Sequence, residues 1–90
     1  MKKESISIKA WCVYLLECKD GSLYTGITND LESRLAIHNA GLGAKYTRGR
    51  TPVKLLEFKS VENQSEALKL EYQIKQLSRL KKIEFFQFNK

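Results

Sequence analysis

The stretch from Ala10 to Cys18, AWCVYLLEC, constrains the fold more than any other. Aromatic and branched residues fill both its odd and its even positions, so it reads as a strand apolar on both faces. Lys19, Asp20 and Gly21 follow as a turn, and Leu23 to Ile27 reads as the returning strand. Two registers are open. A three-residue loop with Gly21 left-handed pairs Cys18 with Ser22, sets Tyr14 opposite Gly26 and Tyr24 opposite Leu16, and puts both tyrosines on one face. A two-residue Asp20-Gly21 turn puts them on opposite faces, because a slip of one residue inverts the pleat.

Asn29 with Glu32 three residues on resembles a capping box, so a helix is expected from about Asp30 to Ala40, ended by Gly41. Leu31, Leu35 and His38 share one stripe of it, with Arg34 at the edge. Pro52 to Phe58 reads as a third strand. Asn63 with Glu66 repeats the capping pattern, and Ala67, Leu70, Ile74 and Leu77 supply the stripe of a helix from about Gln64 to Leu80. Glu71 falls roughly 80° from the centre of that stripe, at its border. The tail around Phe85, Phe86 and Phe88 fits a short helix or a strand equally well.

With 90 residues the chain suits one domain, 1–90, and 42% hydrophobic residues with five Gly and one Pro exclude collagenous and disordered classes. No apolar run reaches the roughly 18 to 20 residues of a membrane helix, and residues 1–10 lack a hydrophobic signal core. A cytoplasmic protein without membrane association is the expectation. Cys12 and Cys18 stand six residues apart in one strand, about 20 Å at ~3.3 Å per residue, so reduced, buried thiols are expected. Two Cys and one His give no spacing for a closed zinc site.

The net charge of +6 is concentrated in Gly41 to Lys59, where Lys45, Arg48, Arg50, Lys54 and Lys59 meet one acid, Glu57, with Tyr46 interleaved. Such a loop suits a phosphate backbone, and Lys45, Tyr46, Arg48 and Arg50 are its candidate nucleic-acid contacts. Ordinary solubilising charge is the plainer explanation. Tyr14, Tyr24, Arg34, His38 and Glu71 are the other residues able to carry chemistry. Each has a structural explanation as well: strand packing for the tyrosines, a surface cation for Arg34, a satisfied core imidazole for His38, and an i, i+4 pair with Lys75 for Glu71. Composition and spacing alone lead to a small basic α/β domain with a capacity for nucleic acid.

Cys12-Val13-Tyr14, then Tyr24-Thr25-Gly26, then Arg34 and His38 in one helix and Glu71 in the next, resemble a GIY-YIG nuclease domain over Trp11 to Lys82. Leu23 to Arg50 (LYTGITNDLESRLAIHNAGLGAKYTRGR) is similar to the small single-domain bacterial members of unassigned role. The resemblance implies an α+β fold: a three-stranded antiparallel sheet flanked by helices, in the order β-β-α-β-α with a short C-terminal element. It also implies that Tyr14 and Tyr24 share the active face.

For function, the resemblance implies hydrolysis of nucleic-acid phosphodiesters, DNA ahead of RNA, with one divalent cation, Mg²⁺ or Mn²⁺. Glu71 would be its sole protein ligand. Arg34 would stabilise charge on the scissile phosphate. Tyr14 would activate the attacking water, Tyr24 would position it or the phosphate, and His38 would tune or relay the proton. A tyrosine near pKa ~10 needs a neighbouring charge from Arg34, His38 or the metal to act as a base near neutrality. Cys12 stands where the family's first Gly would be, and Thr25 where its second Ile would be. Asn89 is too loosely spaced for the asparagine that many relatives carry, and takes no role. The length leaves no room for an appended targeting domain, so a partner protein is expected to supply target selection. A non-catalytic nucleic-acid-binding domain is the alternative function, followed by a protein-interaction module.

Overall fold

The computed structural model describes residues 10–88. Strand β1 (Cys12–Glu17) lies between β2 (Leu23–Thr28) and β3 (Lys54–Ser60) in an antiparallel sheet of order β2-β1-β3. Helices α1 (Leu31–Asn39), α2 (Gln64–Lys75) and α3 (Arg79–Phe88) complete an α+β fold of order β-β-α-β-α-α. The middle position explains why β1 is apolar on both faces. Cys12, Tyr14 and Leu16 enter one core with Leu31 and Val53, while Val13 and Leu15 enter another with Ala67, Ile74 and Phe86. Cys12 and Cys18 are both free and buried.

The β1–β2 turn takes the three-residue form. Gly21 has φ +85°, its amide donates to Cys18 O, and the Cys18 amide donates to Ser22 O at 2.8 Å. Asp20 braces the turn by accepting from the Ser22 amide and hydroxyl. The register sets Tyr14 opposite Gly26 and Leu16 opposite Tyr24, so the two tyrosines share a face.

Strand β3 starts two residues later than expected. Its approach is occupied by α1: Asn39 Nδ2 donates to Val53 O at 3.2 Å and Asn39 Oδ1 accepts from Val53 N at 2.7 Å. A bulge between Leu15 and Leu16 lets Leu55 and Phe58, an odd number of residues apart, both pack on the Tyr14 face.

Asp30, not Asn29, caps α1, because Ser33 both donates its amide and bonds its hydroxyl to the Asp30 carboxylate. Gly41 at φ +79° ends it in a Schellman pattern, its amide on His38 O and the Leu42 amide on Ile37 O. Asn63 caps α2 through the Glu66 amide as expected. The helix stops at Lys75 instead of continuing to Leu80: the amides of Gln76 and Leu77 fold back on Gln73 O and Ile74 O, and Ser78 then caps α3. The tail is thus a helix whose Phe86 seals the second core. Asn89 lies outside the described residues.

Candidate nucleic-acid interface and active site

Tyr14 comes from the middle of β1, Tyr24 from β2, His38 from the last turn of α1, and Tyr46 from a short 3-10 turn at Lys45–Thr47. Their rings form one cluster. Tyr24 stands 6.5 Å from Tyr14, 5.5 Å from His38 and 6.0 Å from Tyr46, on which it stacks. The Tyr14 hydroxyl and His38 Nε2 are hydrogen-bonded at 3.0 Å in a fully buried contact. His38 Nδ1 bonds Thr47 Oγ1 at 2.8 Å, so the imidazole is both a satisfied core histidine and a member of the site.

The electrostatics differ from the expectation for Tyr14. Burial pushes its phenol up to about 12, outweighing the Arg34 guanidinium that pulls it down. Burial first, and the Arg34 charge second, hold His38 below the ordinary imidazole value. Tyr14 and His38 are therefore both neutral near pH 7. The neighbours do not make Tyr14 a base by lowering its pKa; they leave its proton in contact with a second basic atom. Arg34 is half-buried in α1 and acts on both groups.

Glu71 is half-buried on α2, as its place on the wheel implied, and its carboxylate pairs with Lys75 Nζ at 3.2 Å. Lys75 Nζ in turn lies 5.8 Å from the centre of the Tyr24 ring. That pair links α2 to the tyrosine cluster, and a cleft of about 390 Å³ lined by Tyr24, Thr25, Tyr46, Lys75 and Lys82 opens there. Among the described residues no three His, Cys, Asp or Glu groups gather as a metal cage. A single half-buried carboxylate suits a Mg²⁺-type cation that keeps most of its waters, and Lys75 competes with such a cation for it.

The basic loop divides. Lys45 and Arg48 are exposed, with Arg48 Nε donating to Gly43 O at 3.1 Å. Arg50, expected as a nucleic-acid contact with Glu57 the one acid of its stretch, is paired with Asp20 at 3.0 Å because the loop docks on the β1–β2 turn through the Lys19 amide and Arg50 O. The same guanidinium donates to Tyr46 O at 2.6 Å and lies 4.1 Å over the Tyr46 ring. Arg50 therefore holds Tyr46 in place.

Sequence reasoning missed Thr47, Gly43 and Lys75. A side chain at Gly43 would overlap the His38 ring, so the loop backbone runs against the imidazole. A buried threonine among loop cations shows no periodicity, and Lys75 stood out only as a partner of Glu71.

Comparison with known proteins identifies the family. A family model described as the GIY-YIG catalytic domain matches residues 10–84. A UPF0213 protein of Halobacterium salinarum is 58% identical over 74 residues, 82% of this chain and 96% of its own. One of Clostridium perfringens is 60% identical over 72 residues, 80% of this chain and 77% of its own. The solution structure of a UPF0213 protein from Bacillus halodurans matches at 47% identity and TM-score 0.55, covering 88% of this chain and 84% of that one. A second solution structure, of a protein from E. faecalis, matches at 38% identity and TM-score 0.62, covering 98% and 90%. The family model spans most of the chain and the UPF0213 relatives match it at 47–60% identity over most of its length, so the chain belongs to the GIY-YIG family, among its small UPF0213 members.

Proposed function

We propose that the protein is a divalent-metal-dependent nuclease that hydrolyses phosphodiester bonds in nucleic acid, DNA in preference to RNA. The observation that carries this reading is the buried hydrogen bond between Tyr14 and His38, set beside Arg34, with the exposed cations Lys45 and Arg48 on the loop whose Thr47 bonds His38. Two neutral groups in contact can pass a proton. As the Tyr14 oxygen takes a proton from an attacking water, its own proton moves to His38 Nε2, so no free phenolate is required at neutral pH. Arg34, a fixed planar donor at that oxygen, suits the charge that develops on the phosphate. Tyr24 positions the water or the phosphate from the same face. Lys45 and Arg48 hold flanking phosphates from the loop. Glu71 would hold one Mg²⁺ or Mn²⁺, whose chemistry is Lewis-acid stabilisation of phosphate charge, once Lys75 has moved from the carboxylate.

The second reading is a nucleic-acid-binding domain without turnover, favoured by one observation: Glu71 is engaged by Lys75. Incubating the purified protein with labelled single-stranded, duplex and branched DNA and RNA, in Mg²⁺, Mn²⁺ or EDTA, separates the two. Cleavage that EDTA stops is the expected result. Binding to any of these substrates with no cleavage in either metal would establish the second reading instead.

A further inference from the structure

The turn that crosses the site has two sides. Lys45 and Tyr46 are exposed on its outer side, whereas Thr47, the last residue of the turn, is completely buried. Thr47 Oγ1 lies 2.9 Å from Ala44 O and 2.8 Å from His38 Nδ1. The opposite nitrogen, His38 Nε2, lies 3.0 Å from the Tyr14 hydroxyl. Gly43 makes this approach feasible, since any side chain there would collide with the imidazole.

Counting donors gives the chain a direction. Arg34 can only donate, so the hydrogen of the buried Tyr14 hydroxyl has His38 Nε2 as its acceptor. A neutral imidazole that accepts at Nε2 carries its hydrogen on Nδ1. That N–H requires an acceptor, and Thr47 Oγ1 serves because its own hydrogen is given to Ala44 O. Every hydrogen in the series then points from Tyr14 towards Ala44. A threonine turned to donate to Nδ1 would put the histidine's hydrogen on Nε2 and leave the phenol hydrogen without an acceptor.

We propose that Thr47 is a positioning residue that fixes His38 as the Nδ1–H tautomer, so that the Nε2 lone pair faces the Tyr14 hydroxyl. When Nε2 takes the Tyr14 proton, the imidazolium keeps its Nδ1–H on Thr47 and the Ala44 carbonyl polarises that hydroxyl, so no group has to rotate. The tautomer stands independently of any activity; its catalytic consequence rests on the nuclease reading.

His38 is the one histidine of the chain, so a ¹⁵N-labelled imidazole gives an unambiguous long-range proton–nitrogen spectrum. The wild type is expected to show a protonated, pyrrole-type Nδ1 and a bare, pyridine-type Nε2. Thr47→Val keeps the shape but removes the acceptor and should shift the tautomer towards Nε2–H, while Thr47→Ser should retain the wild-type pattern. On a cleavable substrate the Val variant should lose about ten- to a hundredfold in kcat, the range typical where an outer partner orients a histidine, with KM unchanged and activity restored in Thr47→Ser. A wild-type Nε2–H tautomer, or a folded Val variant with an unaltered spectrum, overturns the proposal. If Thr47→Val does not fold, the wild-type spectrum still decides. If the wild type cleaves nothing, the nuclease reading fails and the spectra still decide the role of Thr47.

Discussion

The Tyr14 ring lies against the α-carbon of Gly26 on the neighbouring strand, so closely that a methyl group there would overlap the phenol oxygen. The hydroxyl that rests on Gly26 is the one bonded to His38. Gly26→Ala must therefore displace either the ring or β2. The expected cost is about 1–3 kcal/mol, the usual range for overpacking, together with loss of the Tyr14–His38 bond and of cleavage. Urea unfolding and a cleavage assay measure both, and an unchanged midpoint with full activity would mean the ring has room to spare.

Thr25, beside that glycine, carries the opposite kind of defect. Its Oγ1 is buried and without a hydrogen-bond partner among the described residues. An orphaned hydroxyl of this kind costs about 1–3 kcal/mol, and valine has the same shape without it. Thr25→Val should raise stability by about 1 kcal/mol in urea titration. A drop in stability would reveal a partner for the hydroxyl, such as an ordered water.

Arg50 separates from the other loop cations in binding. Lys45→Ala and Arg48→Ala should each reduce the salt dependence of nucleic-acid affinity by about 0.9 in log–log slope, the value for one phosphate contact. Arg50→Ala should leave that slope nearly unchanged, because its guanidinium is committed to Asp20 and Tyr46. Titrations at several salt concentrations test this, and an equal loss of slope for all three would show that Arg50 releases Asp20 to reach phosphate.

The difference between Arg50 and its neighbours illustrates what sequence can and cannot carry. Local capping chemistry was readable at Asn63 and Gly41, and the double-sided apolar pattern of β1 marked a strand covered on both faces. The motif residues Tyr14, Tyr24 and His38 could be named because their spacing follows that of a known family. Partners brought together by tertiary docking could not be. Asp20 meets Arg50 thirty residues away, and Thr47 meets His38 through a turn with no periodic signal. The end of α2 failed for a local reason: Leu77 continued the apolar stripe, but Ser78 starts a new cap.

The buried pair also sets pH limits on stability. Tyr14 holds its proton up to about 12 when folded against 10.0 when unfolded, so between those values the unfolded chain loses the proton first. Stability contributed by Tyr14 is complete below pH 10 and falls as pH rises, by on the order of 2–3 kcal/mol at most. His38 acts at the other end. Its folded pKa lies below the ordinary value, so the unfolded state binds the proton first and stability falls as pH drops below about 6.5. Tyr14→Phe should lessen the alkaline fall without abolishing it, because the buried Cys12 thiol, pushed up to about 11, contributes to it as well. Melts of wild type and variant from pH 5 to 11 check both signs, and parallel alkaline limbs would show that Tyr14 titrates no later than an exposed tyrosine.

Glu71 is where catalytic and structural roles diverge most. As one end of an i, i+4 pair with Lys75, it contributes only a few tenths of a kcal/mol, so Glu71→Gln should barely move the melting temperature. As the one carboxylate for Mg²⁺, it cannot be replaced by glutamine, which keeps the size and a carbonyl oxygen but loses the charge. Cleavage should then collapse while metal-free binding persists, or tightens slightly as a negative charge near the phosphate disappears. Lys75→Met should act in the other direction, lowering the Mg²⁺ concentration at half-maximal cleavage by removing the cation that competes for the carboxylate. The three proteins are compared in Mg²⁺ titrations of cleavage and in EDTA-buffered binding, each with a melt to confirm folding. Full metal-dependent cleavage by folded Glu71→Gln would remove Glu71 from the metal and leave it a helix-surface partner of Lys75.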